Sequence, residues 1–170
     1  DPRDKNEMGD IFEKKEINIL IHAACTVDND LDPIITEKVM SDSKECDKFI
    51  YRYAMEANVE KIILLSTDQV YEFPKTREPI REDSELKPST NYAQMKLASE
   101  KALINEMQHH PNTICCVIRY APVYTKNYTD NLVAKLTDPK DGTKFVYGKG
   151  QYGFQLCCVH NLVDFILCFA

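Results

Sequence analysis

Glycine is scarce in this chain, which has five glycines among 170 residues. Three of them fall in Gly148–Gly153, whose letters match the dinucleotide-binding pattern G-x-G-x-x-G. Such a loop must follow a strand and open a helix, because the helix N-terminus faces the pyrophosphate. Here the strand-like run Phe154–Val159 follows instead, which indicates a turn between two strands. The sequence therefore contains no recognisable phosphate-binding loop.

Other patterns are absent too. The seven cysteines form no Cys-x-x-Cys pair and no Cys/His spacing suited to zinc, so we predict no metal site. The net charge is −6 with no basic stripe, which disfavours a nucleic-acid partner. No apolar run approaches the length of a membrane span, and no signal peptide opens the chain.

The cysteine pattern predicts a cellular compartment. Cys115-Cys116 and Cys157-Cys158 lie in apolar, strand-like runs, which indicates packed thiols rather than disulfides. An odd number of buried thiols is typical of a reducing compartment. We therefore predict a cytoplasmic protein, with endoplasmic-reticulum association through parts outside this chain as the alternative.

Short apolar runs alternate with longer helical patterns, which predicts βαβ units and a parallel sheet. The segment Phe73–Pro88, with three prolines and many charges, is predicted to be a loop. The predicted helices are Lys5–Lys15, Ser43–Ala57, Ser89–Gln108, a short one near Asp130–Lys135 and one from Asn161. The predicted strands are Ile17–Ile21, Lys61–Leu65, Thr113–Ile118, Lys144–Tyr147 and Phe154–Val159.

Two segments carry most of the chemical information. Lys61–Tyr71 reads as a buried strand ending on hydroxyl residues, and Asn91–Lys96 places Tyr92 and Lys96 one helical turn apart. An ammonium beside a phenol favours the phenolate, which makes the phenol proton mobile nearer neutral pH. A nearby hydroxyl can hold a substrate oxygen while that proton moves. This is suitable chemistry for a secondary alcohol if a nicotinamide lies alongside.

The Tyr-x-x-x-Lys spacing alone is weak evidence, since chance supplies roughly one such pair in a chain of this composition. The chain has a second match, Tyr71 to Lys75, but Pro74 lies inside it and argues against a helix. The segment around Tyr92 and Lys96 has no glycine or proline and favours helix. An exposed pair on an ordinary helix remains the alternative interpretation of that spacing.

Taken together, the motifs resemble the extended short-chain dehydrogenase/reductase superfamily, which includes the NAD-dependent epimerases and dehydratases. The resemblance runs through essentially all of the chain. The motifs that carry it are Asp1–Asp4, Ile19–Ala24, Ser66–Tyr71, Tyr92 with Lys96, and Ile118–Tyr124.

The resemblance implies an α/β fold: a doubly wound, Rossmann-type parallel sheet that lacks its first strands and glycine loop. It implies a partial NAD(P)-binding domain over residues 1–125 and the start of a small substrate lobe over 126–170. The chain starts without a preceding strand and ends in an apolar run, so we expect a piece of a longer protein. The fragment alone is expected to be inactive.

The resemblance also implies the roles of individual residues. Tyr92 would be the general acid/base, Lys96 would assist it and hold the nicotinamide ribose, and Thr67 would hydrogen-bond the substrate oxygen. NAD or NADP would be the cofactor, and the substrate a small molecule. The implied cofactor-contacting residues are Asp1, Pro2, Ala23, Ala24, Leu65, Tyr92, Lys96 and Tyr120.

The residues point to two different branches within the superfamily. Lys144–Gly148 followed by Val159–Val163 is similar to 3β-hydroxysteroid and sterol-4α-carboxylate dehydrogenases, which we favour at this point. Ser66–Tyr71 and Pro79–Asp83 are closer to nucleotide-sugar epimerases and dehydratases, the alternative. A homodimer is possible in either branch.

Some positions depart from the family pattern. Pro2 lacks the backbone N–H that would meet the adenine ring. Pro122 stands where the family often has an asparagine near the substrate, and Ser43 where it has the asparagine of its proton relay. The absence of a recognisable phosphate-binding loop motivates a further hypothesis, namely a non-catalytic fragment or pseudoenzyme that binds a partner.

Overall fold

In the computed structural model, the residues described are 1, 3–25, 37–72, 78–133, 136–138, 140–144, 149, 153 and 155–170. They form two compact units, Asp1–Arg119 and Tyr120–Ala170, which we treat separately. The domain boundary that we placed between residues 125 and 126 stays a prediction. None of the described helices combines the length and the apolar composition needed to cross a bilayer.

The first unit alternates helices and strands. Its three-stranded sheet has the order β1-β2-β3, and β1 pairs in parallel with β2, Ile19 opposite Lys61 and His22 opposite Leu64. This confirms the predicted α/β fold with a parallel, Rossmann-type sheet. The elements are α1 (Lys5–Lys15), β1 (Ile19–His22), α2 (Glu37–Glu56), β2 (Lys61–Thr67), a 3₁₀ turn (Asp68–Val70), α3 (Asn91–Met107) and β3 (Ile114–Tyr120, whose last residue belongs to the second unit).

The core lies around the central strand β2. Ile62, Ile63 and Leu64 are fully buried there, as expected for a parallel strand covered on both faces. Helices α2 and α3 pack closely against each other, and Arg52 of α2 pairs with Glu106 of α3 at 3.3 Å. The buried apolar cluster consists of Phe12, Tyr51, Tyr53, Ala54, Met55, Val59, Ile62, Leu64 and Leu103.

Helix boundaries differ from the prediction for local reasons. The side chain of Thr90 accepts a hydrogen bond from the backbone N–H of Ala93, so α3 begins at Asn91 rather than at Ser89. Helix α2 begins six residues before the predicted start at Ser43. Serine favours helix starts, but Ser43 lies inside the helix and is buried.

The second unit contains a two-stranded parallel sheet. Val123–Tyr124 (β4) pairs with Cys157–Cys158 (β5), and it is accompanied by the helices α4 (Asp130–Val133) and α5 (Val159–Phe169). The strand predicted over Phe154–Val159 is therefore too long, since Val159 already opens α5. Strand β4 was not predicted. Most of the predicted strand Lys144–Tyr147 lies outside the described residues.

Two burial expectations are wrong. Five of the cysteines are half-buried, among them Cys115, which packs against the apolar cluster, and the other two, Cys25 and Cys168, are exposed, so none of the thiols is fully buried. Ile21, expected within a buried strand, is 45% exposed. Ile21 lies on β1, which is an edge strand of the described sheet.

Candidate active site

The first component of the site is the carboxyl end of β2. Thr67 is the last residue of that strand and is buried, and its hydroxyl oxygen accepts the N–H of Gln69 at 3.3 Å. This bond starts the 3₁₀ turn and turns the chain away from the sheet. Ligands of open α/β sheets bind at the carboxyl ends of the strands, which is where Thr67 lies.

The second component is the first two turns of α3. Lys96 is only 5% exposed, and its Nζ donates a hydrogen bond to the backbone carbonyl oxygen of Leu65 at 3.0 Å. This bond joins α3 directly to the end of β2. Tyr92 lies one turn earlier and is half-buried. Residues four apart share a helix face, so Tyr92 and Lys96 face the same side of α3.

The carboxyl end of β1 lies next to that of β2. His22 is opposite Leu64, so Ala23 and Ala24 leave β1 at the level where β2 reaches Leu65 and Ser66. Both alanines are exposed. Their small side chains leave room at this edge of the sheet.

A buried hydrogen-bonded chain supports this edge from below. His22 Nδ1 lies 2.7 Å from the Tyr51 hydroxyl, which lies 2.7 Å from the Ser99 hydroxyl, and His22 Nε2 lies 3.4 Å from an Asp47 oxygen. Burial and the nearby charge of Lys96 lower the pKa of His22, and Asp47 opposes them. Burial raises the pKa of Tyr51. His22 is thus a packed histidine at the end of β1.

A buried ion pair lies one turn beyond Lys96. Glu100 is 1% exposed, accepts a hydrogen bond from the Ser66 hydroxyl, and binds the guanidinium of Arg119 at 2.7 to 3.2 Å. Arg119 also donates to the Tyr71 hydroxyl at 2.8 Å and to the carbonyl oxygen of Glu82 at 3.3 Å. Its hydrogen bonds to Glu100 raise the pKa of Arg119 further above its ordinary value.

The sequence analysis missed Glu100 and Arg119. A signal was present, since Tyr92, Lys96 and Glu100 are spaced by four residues and lie on one face of α3. The partner of Glu100 could not be identified in the same way, because Arg119 reaches it from another strand.

The other predicted cofactor residues are placed as follows. The carboxylate of Asp1 accepts hydrogen bonds from the Arg3 side chain at 2.8 and 3.1 Å and from its backbone N–H at 3.0 Å. Pro2 lies outside the described residues, as do most positions of Gly148–Gly153. Tyr120 ends β3 and is half-buried. The roles predicted for these residues stay predictions.

The site fits one half of a nicotinamide dinucleotide. The Lys96 ammonium has three N–H donors, and its hydrogen bond to Leu65 uses one, so it can also bind a ribose hydroxyl. Ala23 and Ala24 leave space above the sheet, and Thr67 and Tyr92 can contact a reacting oxygen. Among the described residues no glycine turn opens a helix, so the pyrophosphate half has no counterpart there.

The fold is similar to that of solved nucleotide-sugar enzymes. The UDP-Glc/GlcNAc 4-epimerase of Campylobacter jejuni matches with a TM-score of 0.78 and 21% identity over 98% of this chain and 56% of its own. A UDP-glucose 4-epimerase of Thermotoga maritima, solved with UDP-glucose, matches with a TM-score of 0.72 and 18% identity over 96% and 55%. That of Bifidobacterium longum, solved with NAD⁺ and UDP, matches with a TM-score of 0.63 and 25% identity over 72% and 37%.

The chain thus spans about half the length of the first two structures and 37% of the length of the third. At these identities the likeness is mainly one of fold. No match is found among curated protein sequences.

A family model gives the assignment. The model described as the NAD dependent epimerase/dehydratase family matches residues 1–170, which is the entire chain. This confirms the predicted superfamily and, with it, NAD as the cofactor of the family. The 3β-hydroxysteroid dehydrogenase branch gains no support from these comparisons. The chain belongs to the NAD-dependent epimerase/dehydratase family.

Proposed function

We propose that the protein containing this chain is an NAD-dependent epimerase or dehydratase that acts on a nucleotide sugar. The observation that carries the proposal is the hydrogen bond from buried Lys96 to Leu65, which ties the helix that carries Tyr92 to the strand that ends at Thr67. The nucleotide-sugar class is supported by the similar structures named above. It replaces the sterol-like substrate that we favoured from the sequence.

In this proposal each residue has a distinct task. Thr67 donates a hydrogen bond from its hydroxyl to the oxygen of the sugar hydroxyl that reacts, and this bond holds that oxygen in place. Tyr92 removes the proton from that hydroxyl and later returns it, as a general base and then a general acid. Bound NAD supplies the hydride acceptor. Lys96 holds the ribose next to Tyr92, and its positive charge favours the phenolate.

A substrate panel tests the proposal. The whole protein is incubated with NAD and, separately, UDP-glucose, UDP-N-acetylglucosamine, UDP-glucuronate and a 3β-hydroxysteroid, and the products are identified by NMR. We expect an epimerised or dehydrated sugar from at least one UDP-sugar, and none with the variant Tyr92→Phe.

Two results would contradict the proposal. Oxidation of the steroid alone would favour the 3β-hydroxysteroid dehydrogenase branch, to which the tail motif Val159–Val163 is similar. Tight NAD binding without turnover of any compound would favour a non-catalytic binding module, the hypothesis that the missing phosphate-binding loop motivates.

A further inference from the structure

Arg119 joins three parts of the first unit. Its Nε and Nη2 hold Glu100 on α3, while its Nη1 holds the Tyr71 hydroxyl and the carbonyl oxygen of Glu82. Its guanidinium carbon also lies 4.9 Å from the centre of the Tyr71 ring. One side chain from β3 therefore contacts both α3 and the connection between β2 and α3.

That connection leads from one candidate catalytic residue to the other. It leaves the turn after Thr67 at Tyr71 and enters α3 at Asn91, immediately before Tyr92. Its two ends are paired, since the N–H of Glu72 donates to the Glu85 carbonyl at 3.1 Å and that of Lys87 to the Val70 carbonyl at 2.9 Å. Its path thus influences where Tyr92 lies relative to Thr67.

Glu100 connects the same ion pair to both catalytic elements. Its carboxylate accepts the hydroxyl of Ser66, the residue before Thr67, and it lies two turns after Tyr92 on the same face of α3. A buried carboxylate needs its counter-charge, so Arg119 must stay in place. The planar guanidinium presents two parallel N–H groups to the carboxylate and still donates elsewhere, a fork geometry that the lysine ammonium lacks.

We propose that Arg119, Glu100 and Tyr71 are positioning residues that set the placement of Tyr92 and Lys96 relative to Thr67. Tyr71 belongs to the second Tyr-x-x-x-Lys match, and here it acts through Arg119 rather than as an acid or base. The inference rests on the proposed function for its kinetic test and is independent of it for its structural test.

The kinetic test uses the whole protein with two mild substitutions. Arg119→Lys keeps the charge beside Glu100 but loses the fork, and Tyr71→Phe removes only the hydroxyl. Small displacements of catalytic groups are costly, so we expect kcat to fall about tenfold for Arg119→Lys and about threefold or more for Tyr71→Phe, with KM unchanged. Since Tyr71 acts through Arg119, the double variant should be no worse than Arg119→Lys alone.

The structural test needs no activity. Amide hydrogen exchange of residues 78–94 should become about threefold faster or more in both variants, because the connection and the first turn of α3 lose an anchor. Lys87→Gln is the matched control. It removes the exposed Lys87–Glu72 ion pair of 3.0 Å across the same two ends, and it should change neither kcat nor exchange of the first α3 turn.

The outcomes separate the inference from the proposed function. Unchanged exchange in both Arg119→Lys and Tyr71→Phe would overturn the inference whether or not the protein turns over a sugar. Normal kcat in both, in a protein that Tyr92→Phe inactivates, would overturn the inference and leave the proposed function intact. Fast exchange in a protein with no sugar activity would support the inference and count against the function.

Discussion

Lys96 is the residue on which the site depends most. A buried ammonium is rare unless it has partners, and here the partner is a backbone oxygen at the end of β2. One of the three N–H donors of the ammonium forms this hydrogen bond, which fixes α3 against the sheet. It also leaves the ammonium within reach of a ligand that lies above that edge.

The substitution Lys96→Met should therefore damage two properties together. We expect turnover to fall by about 10² or more and the affinity for NADH to fall as well, because the same ammonium serves catalysis and binding. Steady-state kinetics and calorimetry with NADH on the whole protein would measure both.

The control for this experiment is Lys101→Met, an exposed lysine of the same helix. It should behave as the wild type in both assays. A Lys96→Met protein with normal NADH affinity would show that Lys96 does not hold the cofactor.

The predictability of single residues from the sequence was uneven. Tyr92, Lys96 and Thr67 were predicted as site residues because their spacing matches a known motif. The sequence did not predict the hydrogen bonds that link His22, Tyr51 and Ser99, nor the ion pair of Glu100 with Arg119. Each of these contacts joins residues from different elements, and no periodicity in a single sequence records such a contact.

Helix α3 offers a matched pair that tests the packing. Leu103 is fully buried in the core, whereas its neighbour Ile104 is 50% exposed. Leu103→Ala should lower the free energy of unfolding by about 2–5 kcal/mol through the cavity that it leaves. Ile104→Ala should change it by about 0.5 kcal/mol or less. Urea denaturation would compare the two, and equal effects would contradict the packing of α3.

His22 makes the contact of β1 with α2 sensitive to pH. The lowered pKa means that the folded chain keeps His22 neutral at a pH where the unfolded chain binds a proton. The unfolded state then binds more protons. The contribution of neutral His22 to the free energy of unfolding is therefore fully present above about pH 6.5 and is lost as the pH falls below that value.

Urea midpoints between pH 7.5 and 5.5 would show this effect. We expect the dependence of the urea midpoint on pH to flatten in His22→Asn, because asparagine cannot be protonated in this range. The dependence should persist in His109→Gln, which replaces an exposed histidine. An identical slope in His22→Asn would mean that other groups cause the pH dependence.

The elements themselves were largely predictable, because short apolar runs such as the strand at Lys61 alternate with longer helical patterns such as α3. The second unit was less so. Strands β4 and β5 have two residues each and pair across more than thirty positions, so neither shows an alternation long enough to recognise. The start of α2 was misplaced because Ser43 resembles a helix cap but is a packed position within the helix.

At the scale of the whole molecule, the described residues include the proposed catalytic residues but no glycine turn that opens a helix. Strand β1 lies at the edge of the described sheet and presents Ile21 to solvent. An open apolar edge strand can pair with another chain. We therefore expect the 170-residue chain alone to associate and to bind NADH weakly.

Light scattering and calorimetry on the purified 170-residue chain would check this expectation. A monodisperse monomer with micromolar affinity for NADH would contradict it. Such a result would mean that Gly148–Gly153 or another loop of this chain binds phosphate after all.

The most direct test of the central claim is the turnover of the whole protein carrying Tyr92→Phe. The ring remains and only the proton donor is lost, so a UDP-sugar that the wild type converts should react about 10²–10⁴ times more slowly. The affinity for NAD should stay within a few-fold of the wild type. Turnover equal to that of the wild type would contradict the assignment of Tyr92 as the acid/base, and with it the proposed active site.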